Sequence, residues 1–90
     1  MPTVTLPPLK YDHAYSGTVI ERVLPLEEAR QVCANIVIAA DGCSAFVTGE
    51  NGAQVCYIVL PLNGPDENID HYRRHELAHC NGWPPSHPAE

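Results

Sequence analysis

Turn-forming residues isolate one segment of this chain and direct it into a helix. Pro61, Asn63-Gly64 and Pro65 break the chain ahead of it, and Gly82 followed by Pro84-Pro85 stops it behind. Asp66 stands where a helix cap belongs, so a helix is expected over residues 67–81, with Gly82 ending it and the two prolines preventing its resumption. Inside that segment lies His75-Glu76-Leu77-Ala78-His79. Side chains four apart share a helix face, so helical geometry alone brings these two imidazoles to one point.

Two histidines so placed stand at zinc-ligand separation, and a glutamate between them reaches a metal-bound water. Catalytic zinc usually takes three protein ligands and keeps one position for water. His87 is the candidate for the third, because the break at Gly82 and the stiff Pro84-Pro85 turn the tail back towards the helix face. The expected site is therefore one Zn2+ ion on His75, His79 and His87, with Glu76 as general base. Glu76 would take a proton from the water and deliver it to a leaving amine, which is peptide hydrolysis.

Other readings of the same residues compete. His71 stands four before His75, and that pair would hold a metal with no catalytic glutamate. His13, near the N-terminus, is a further candidate third ligand. Without its flanking histidines, Glu76 would be a solvated carboxylate paired with an Arg or Lys one turn away. Tyr72 is either an oxyanion donor or a packed aromatic, and Trp83 reads as a hydrophobic lid on the helix end. A degenerate motif with solvated histidines and no metal is a third case.

The remainder of the chain outlines a small sheet. Residues 1–16, with Pro2, Pro7 and Pro8, favour extended backbone and read as an arm lying over a single domain of residues 17–90. Residues 18–24 suit a partly exposed strand, and Pro25 with Glu27-Glu28 opens a helix expected over 26–34. Residues 36–40 form an apolar run that fits a buried strand or continued helix. Residues 43–48 and 53–60 are strand-like and flank Gly49-Glu50-Asn51-Gly52, a hairpin signal. The expected fold class is α+β: a small antiparallel sheet with a β-hairpin, packed on the metal-bearing helix, and one further helix. An exposed edge at residues 55–60 would serve as a rail for an extended peptide.

Composition narrows the function classes. Ninety residues lie near the size at which a core alone is marginal, so staples or a metal are expected. Cys33, Cys43, Cys56 and Cys80 permit two disulfides in any of three pairings. A net charge of −6 with no basic cluster beyond Arg73-Arg74 argues against nucleic acid. No apolar run is long enough for a membrane span, and the first residues lack a signal-peptide core. The expectation is a soluble protein, cytoplasmic or virion-associated, whose partner is a peptide or protein substrate.

His75-Glu76-x-x-His79 followed by Gly82 and a later histidine resembles the zincin metallopeptidases, over roughly the last quarter of the chain. That resemblance implies a minimal zincin-like domain in which His75, His79 and His87 are ligands and Glu76 the general base. Where the metzincin branch places its third histidine this chain has Pro85, and its only methionine is Met1, so no methionine turn underlies the metal. The wider string from Arg74 to Pro84 is similar to small peptidase-like proteins of bacterial and bacteriophage genomes. The alternative function, from another class, is a non-catalytic module that keeps the metal for stability inside a larger assembly such as a phage particle.

Overall fold

A computed structural model describes residues 4–37 and 40–89. The element order is β1 (Thr18–Pro25), α1 (Leu26–Cys33), β2 (Cys43–Thr48), β3 (Gln54–Leu62) and α2 (Ile69–Cys80). This is a small α+β fold. Its three strands lie in the order β1-β3-β2, and the sheet is mixed where an antiparallel one was expected. β2 and β3 pair antiparallel across the hairpin, from Cys43 opposite Val59 to Thr48 opposite Gln54. β1 pairs parallel to β3, from Thr18 opposite Val55 to Pro25 opposite Leu62. The reason is the crossover: a parallel pair needs a long connection, and α1 supplies one between β1 and the hairpin.

β3 is apolar over most of its length because it is the central strand and both its faces are covered. Val59 points to one side, into a cluster with Leu24, Ala29, Cys33 and Cys43 beneath α1. Cys56, Ile58 and Leu60 point to the other, against Tyr72 and Cys80 of α2. The rail expected at residues 55–60 is therefore not an edge at all. β2 holds an end position in the sheet.

The hairpin closes through Gly49 N–H to Ala53 O at 2.7 Å and Gly52 N–H to Gly49 O at 3.0 Å, with Gly52 at φ 81°. α1 begins behind Pro25, whose φ of −52° suits the entry to a helix, and carries Glu27 and Glu28 in its first turn. α2 starts later than expected and takes its cap from Asn68, whose side chain accepts from Asp70 N–H at 3.0 Å. Asp66 instead accepts from Asn68 N–H at 2.9 Å, one step further out. Of the apolar run at 36–40, residues 34–37 form a turn after α1, with Ile36 and Val37 exposed; residues 38 and 39 lie outside the described residues. Among the described residues no helix is long and apolar enough to cross a membrane.

Two disulfides resolve the pairing. Cys33–Cys43 ties the end of α1 to the start of β2. Cys56–Cys80 ties β3 to the last residue of α2. Closing loops of these lengths removes unfolded-state freedom equivalent to about 3 kcal/mol each, a large contribution for so small a core. Arg73 fastens α2 to β1 through a two-pronged contact with Glu21, at 2.8 and 3.1 Å.

Candidate metal centre

The way α2 ends builds the site. Gly82 adopts φ 100°, its N–H donates to His79 O at 3.1 Å, and Trp83 N–H reaches back to Ala78 O at 3.0 Å. This is a Schellman turn, in which a left-handed glycine satisfies the last carbonyls of a helix. It folds Trp83 against the helix face that carries the histidines. The indole is buried and stacks on His79, with centroids 5.0 Å apart and planes 20° from parallel. Its Nε1–H donates to Pro88 O at 2.9 Å and so holds the tail. A second turn, His87 N–H to Pro84 O at 2.9 Å, presents His87 with φ 57°.

The outcome is that His75, His79 and His87 meet, with one ligand atom of each within 4.8 Å of the others. Three histidines are thus close enough to bind a metal ion. Nε2 of His79 lies 3.3 Å from Nε2 of His75 and 3.1 Å from Nε2 of His87. Two nitrogens bound at 2.0–2.1 Å with a tetrahedral angle between them stand about 3.3 Å apart, so the spacing fits a shared ion.

Tautomers strengthen the case. His75 Nδ1 donates to Thr5 O at 2.6 Å, and His79 Nδ1 donates to Trp83 O at 2.8 Å. In neutral imidazole the opposite nitrogen then carries a bare lone pair. Two lone pairs face one another without a proton between them, which is repulsive unless a cation sits at the meeting point. Backbone acceptors on the remote nitrogen are also the usual means of orienting a metal-binding histidine. Burial pushes the His75 pKa down to about 4, with His79 and His87 adding to the shift, and burial also lowers that of His87. Both rings are therefore uncharged near neutral pH, the form that ligates.

Glu76 projects from α2 into the same cavity of about 440 Å³ as the three histidines. It is 5% exposed, and among the described residues it forms no ion pair with an Arg or Lys, unlike a solvated helix carboxylate. Burial pushes its pKa up to about 8, against a hydrogen bond from Ser44 of β2 that favours the ionised form. Gly42 leaves room for it: a Cβ there would sit 3.3 Å from Glu76 Oε2 and 2.8 Å from Val59 O.

The other candidates lie elsewhere. His71 Nδ1 pairs with Asp66 Oδ2 at 2.8 Å and its Nε2 meets Asn68, so it is engaged at the front of α2. His13 turns its ring away to its neighbour's carbonyl, with Nδ1 3.0 Å from Ala14 O. Tyr72 is buried in the core and its hydroxyl accepts from Asp66 N–H at 3.1 Å, which is a packing role. Thr5, Gly42 and Ser44 were not singled out from the sequence. Thr5 contributes a backbone carbonyl, which has no residue signature, and Gly42-Cys43-Ser44 reads only as the start of a strand.

No protein-family model, curated protein or solved structure matches the chain.

Proposed function

We propose that the protein is a zinc-dependent metallopeptidase, with His75, His79 and His87 as ligands and Glu76 as general base. The observation that carries this reading is the combination of three converging Nε2 atoms with a buried carboxyl in one cavity. A set of imidazoles suits zinc among common divalent ions. Three protein ligands correspond to a catalytic centre with a position left for water or substrate, whereas structural zinc takes four. Among the described residues the cluster holds no fourth ligand, and Cys56 and Cys80 are committed to a disulfide. When bound, zinc supplies Lewis acidity and brings the pKa of water near neutrality.

The chain's own residues supply the rest. Thr5 O and Trp83 O orient two of the rings. A cation on the histidines draws the Glu76 pKa down, so the buried carboxyl is ionised where a base is needed and holds the proton until a leaving amine takes it. Ser44 steadies that carboxylate. β2 ends the sheet, and Ser44, Ala45 and Phe46 line the cavity, so an extended peptide can add to β2 as a further strand beside Glu76.

The test is Glu76→Gln in zinc-loaded protein, assayed on a peptide mixture by mass spectrometry. Cleavage should fall 10²-fold or more while zinc stays stoichiometric; unchanged turnover would sink the reading. The non-catalytic alternative predicts instead that Glu76→Gln is silent and that chelation unfolds the domain. Two disulfides already brace this fold, which favours a folded metal-free chain.

A further inference from the structure

The N-terminal arm reaches the site through Thr5 and is fastened beside it by Asp12 and by the backbone of Tyr11 and His13. Thr5 O accepts from His75 Nδ1 at 2.6 Å, across seventy residues of sequence. Asp12 meets Arg74, the residue before His75, with Arg74 Nε 3.1 Å from Asp12 Oδ1. Asn81, at the end of α2, donates to both Tyr11 O and His13 O, at 3.0 and 2.6 Å. The arm is thus bound at both ends of the segment of α2 that carries His75, Glu76 and His79. Between Thr5 and these anchors run Pro7 and Pro8, with Pro7 buried. Prolines restrict the backbone, so fastening residues 11–13 also limits where Thr5 can lie. The turn between is bare: Leu9 is 89% exposed.

We propose that residues 4–13 are a clamp whose docking is coupled to metal binding at the three histidines, with Thr5 as the positioning residue. The coupling is electrostatic. A histidine whose Nε2 donates to a cation becomes more positive at Nδ1–H and binds the Thr5 carbonyl more strongly. Conversely, a carbonyl on Nδ1 fixes the tautomer and raises the basicity of Nε2. By linkage, docking strengthens metal binding by the same factor as metal strengthens docking. Whatever displaces the arm, whether a cut in the exposed turn or a competing chain on Arg74 and Asn81, loosens the metal. This inference rests on the metal site alone, not on hydrolysis.

The experiment uses full-length protein with both disulfides intact and zinc as the probe. Amide exchange over residues 4–13 is followed by mass spectrometry with and without zinc, and zinc affinity by competition with a chromophoric chelator. Zinc should slow exchange in the arm several-fold. The double variant Asp12→Ala/Asn81→Ala should speed that exchange and weaken zinc about 10-fold, the lower end for an outer-shell loss, with the helical circular dichroism unchanged. Asp12→Glu should restore most of the affinity to a chain weakened at this anchor. A shortened chain lacking residues 1–10, and hence Thr5, should bind zinc at least as weakly as the double variant.

The proposal is overturned if zinc leaves arm exchange unchanged in the native chain. It is also overturned if the shortened chain keeps full zinc affinity with its helical signal intact. Should shortening prevent folding, the double variant decides: faster arm exchange with unaltered zinc affinity overturns the clamp, and faster exchange with weakened zinc supports it. A native chain that binds no zinc at all refutes the metal site itself, a failure distinct from that of the clamp.

Discussion

His79 and Trp83 are joined twice, by a stacked contact between their rings and by a hydrogen bond from Nδ1 to the Trp83 carbonyl. One residue therefore supplies the wall on which the imidazole lies and the acceptor that sets its tautomer. The same indole also holds Pro88, and with it the turn that carries His87. Trp83→Ala should cost about 3–5 kcal/mol of stability, as expected for a fully buried aromatic, and weaken zinc by more than 10-fold. Trp83→Phe, which keeps a stacked ring and loses the bond to Pro88, should fall between the two. Thermal unfolding and chelator competition measure both effects.

Gly42 should separate chemistry from metal binding. An alanine there puts its Cβ 2.8 Å from Val59 O, a backbone atom, and 3.3 Å from Glu76 Oε2. Something must shift, at a cost of roughly 1–3 kcal/mol, and the carboxyl is among the atoms displaced. Gly42→Ala should leave zinc stoichiometry unchanged and lower kcat/KM for peptide hydrolysis at least 10-fold. Equal loss of zinc would mean that the strain spreads to the histidines.

The arm should respond to acid. The hydrogen bond from Arg74 holds the Asp12 carboxyl below its ordinary value, against a smaller opposing effect of burial. A carboxyl whose pKa is depressed on folding stabilises the folded state fully above its unfolded pKa, near 3.9, and loses that contribution as pH falls through the lower folded value. Amide exchange in residues 11–13, compared between pH 5 and pH 2.5 after correction for intrinsic rates, should rise in the native chain. Asp12→Asn should flatten that rise, and an identical pH response in the variant would assign it to other groups.

Replacing Cys56 and Cys80 together by alanine removes the bond that ties the last turn of α2 to β3. A loss of about 3 kcal/mol corresponds to a fall in Tm on the order of 10–20 °C for a domain of this size. Because Cys80 adjoins His79, the loosened helix end should also weaken zinc. Differential scanning calorimetry with and without zinc separates the two, since zinc should restore part of the lost Tm.

Local spacing made much of this protein legible before its tertiary structure was considered. The punctuation around α2, the Asn51-Gly52 hairpin, Pro25 ahead of α1 and the four-residue step between His75 and His79 all act within one or two turns of chain, where backbone sterics dominate. His87 was within reach for the same reason, since Gly82 and the following prolines are local constraints on the tail. Asp66 was misplaced as the cap because Asn68 offers an equivalent oxygen two residues on, and the choice depends on what else Asp66 touches. In the described part of the apolar run at 36–40, Ile36 and Val37 lie exposed in a turn, because hydrophobicity says that a segment can be buried, while burial needs a neighbour that α1 and β2 do not provide at these two residues.

What only the tertiary structure decided concerns partners distant in sequence. The parallel pairing of β1 with β3, the choice of Cys33–Cys43 and Cys56–Cys80 over two other pairings, and the loss of a free edge at β3 follow from the path of the crossover. The surroundings of the histidines belong to the same class. Thr5 and Ser44 reach His75 and Glu76 through a backbone carbonyl and a common hydroxyl. Such groups are present at almost every position of a chain, so only their arrival in space distinguishes them.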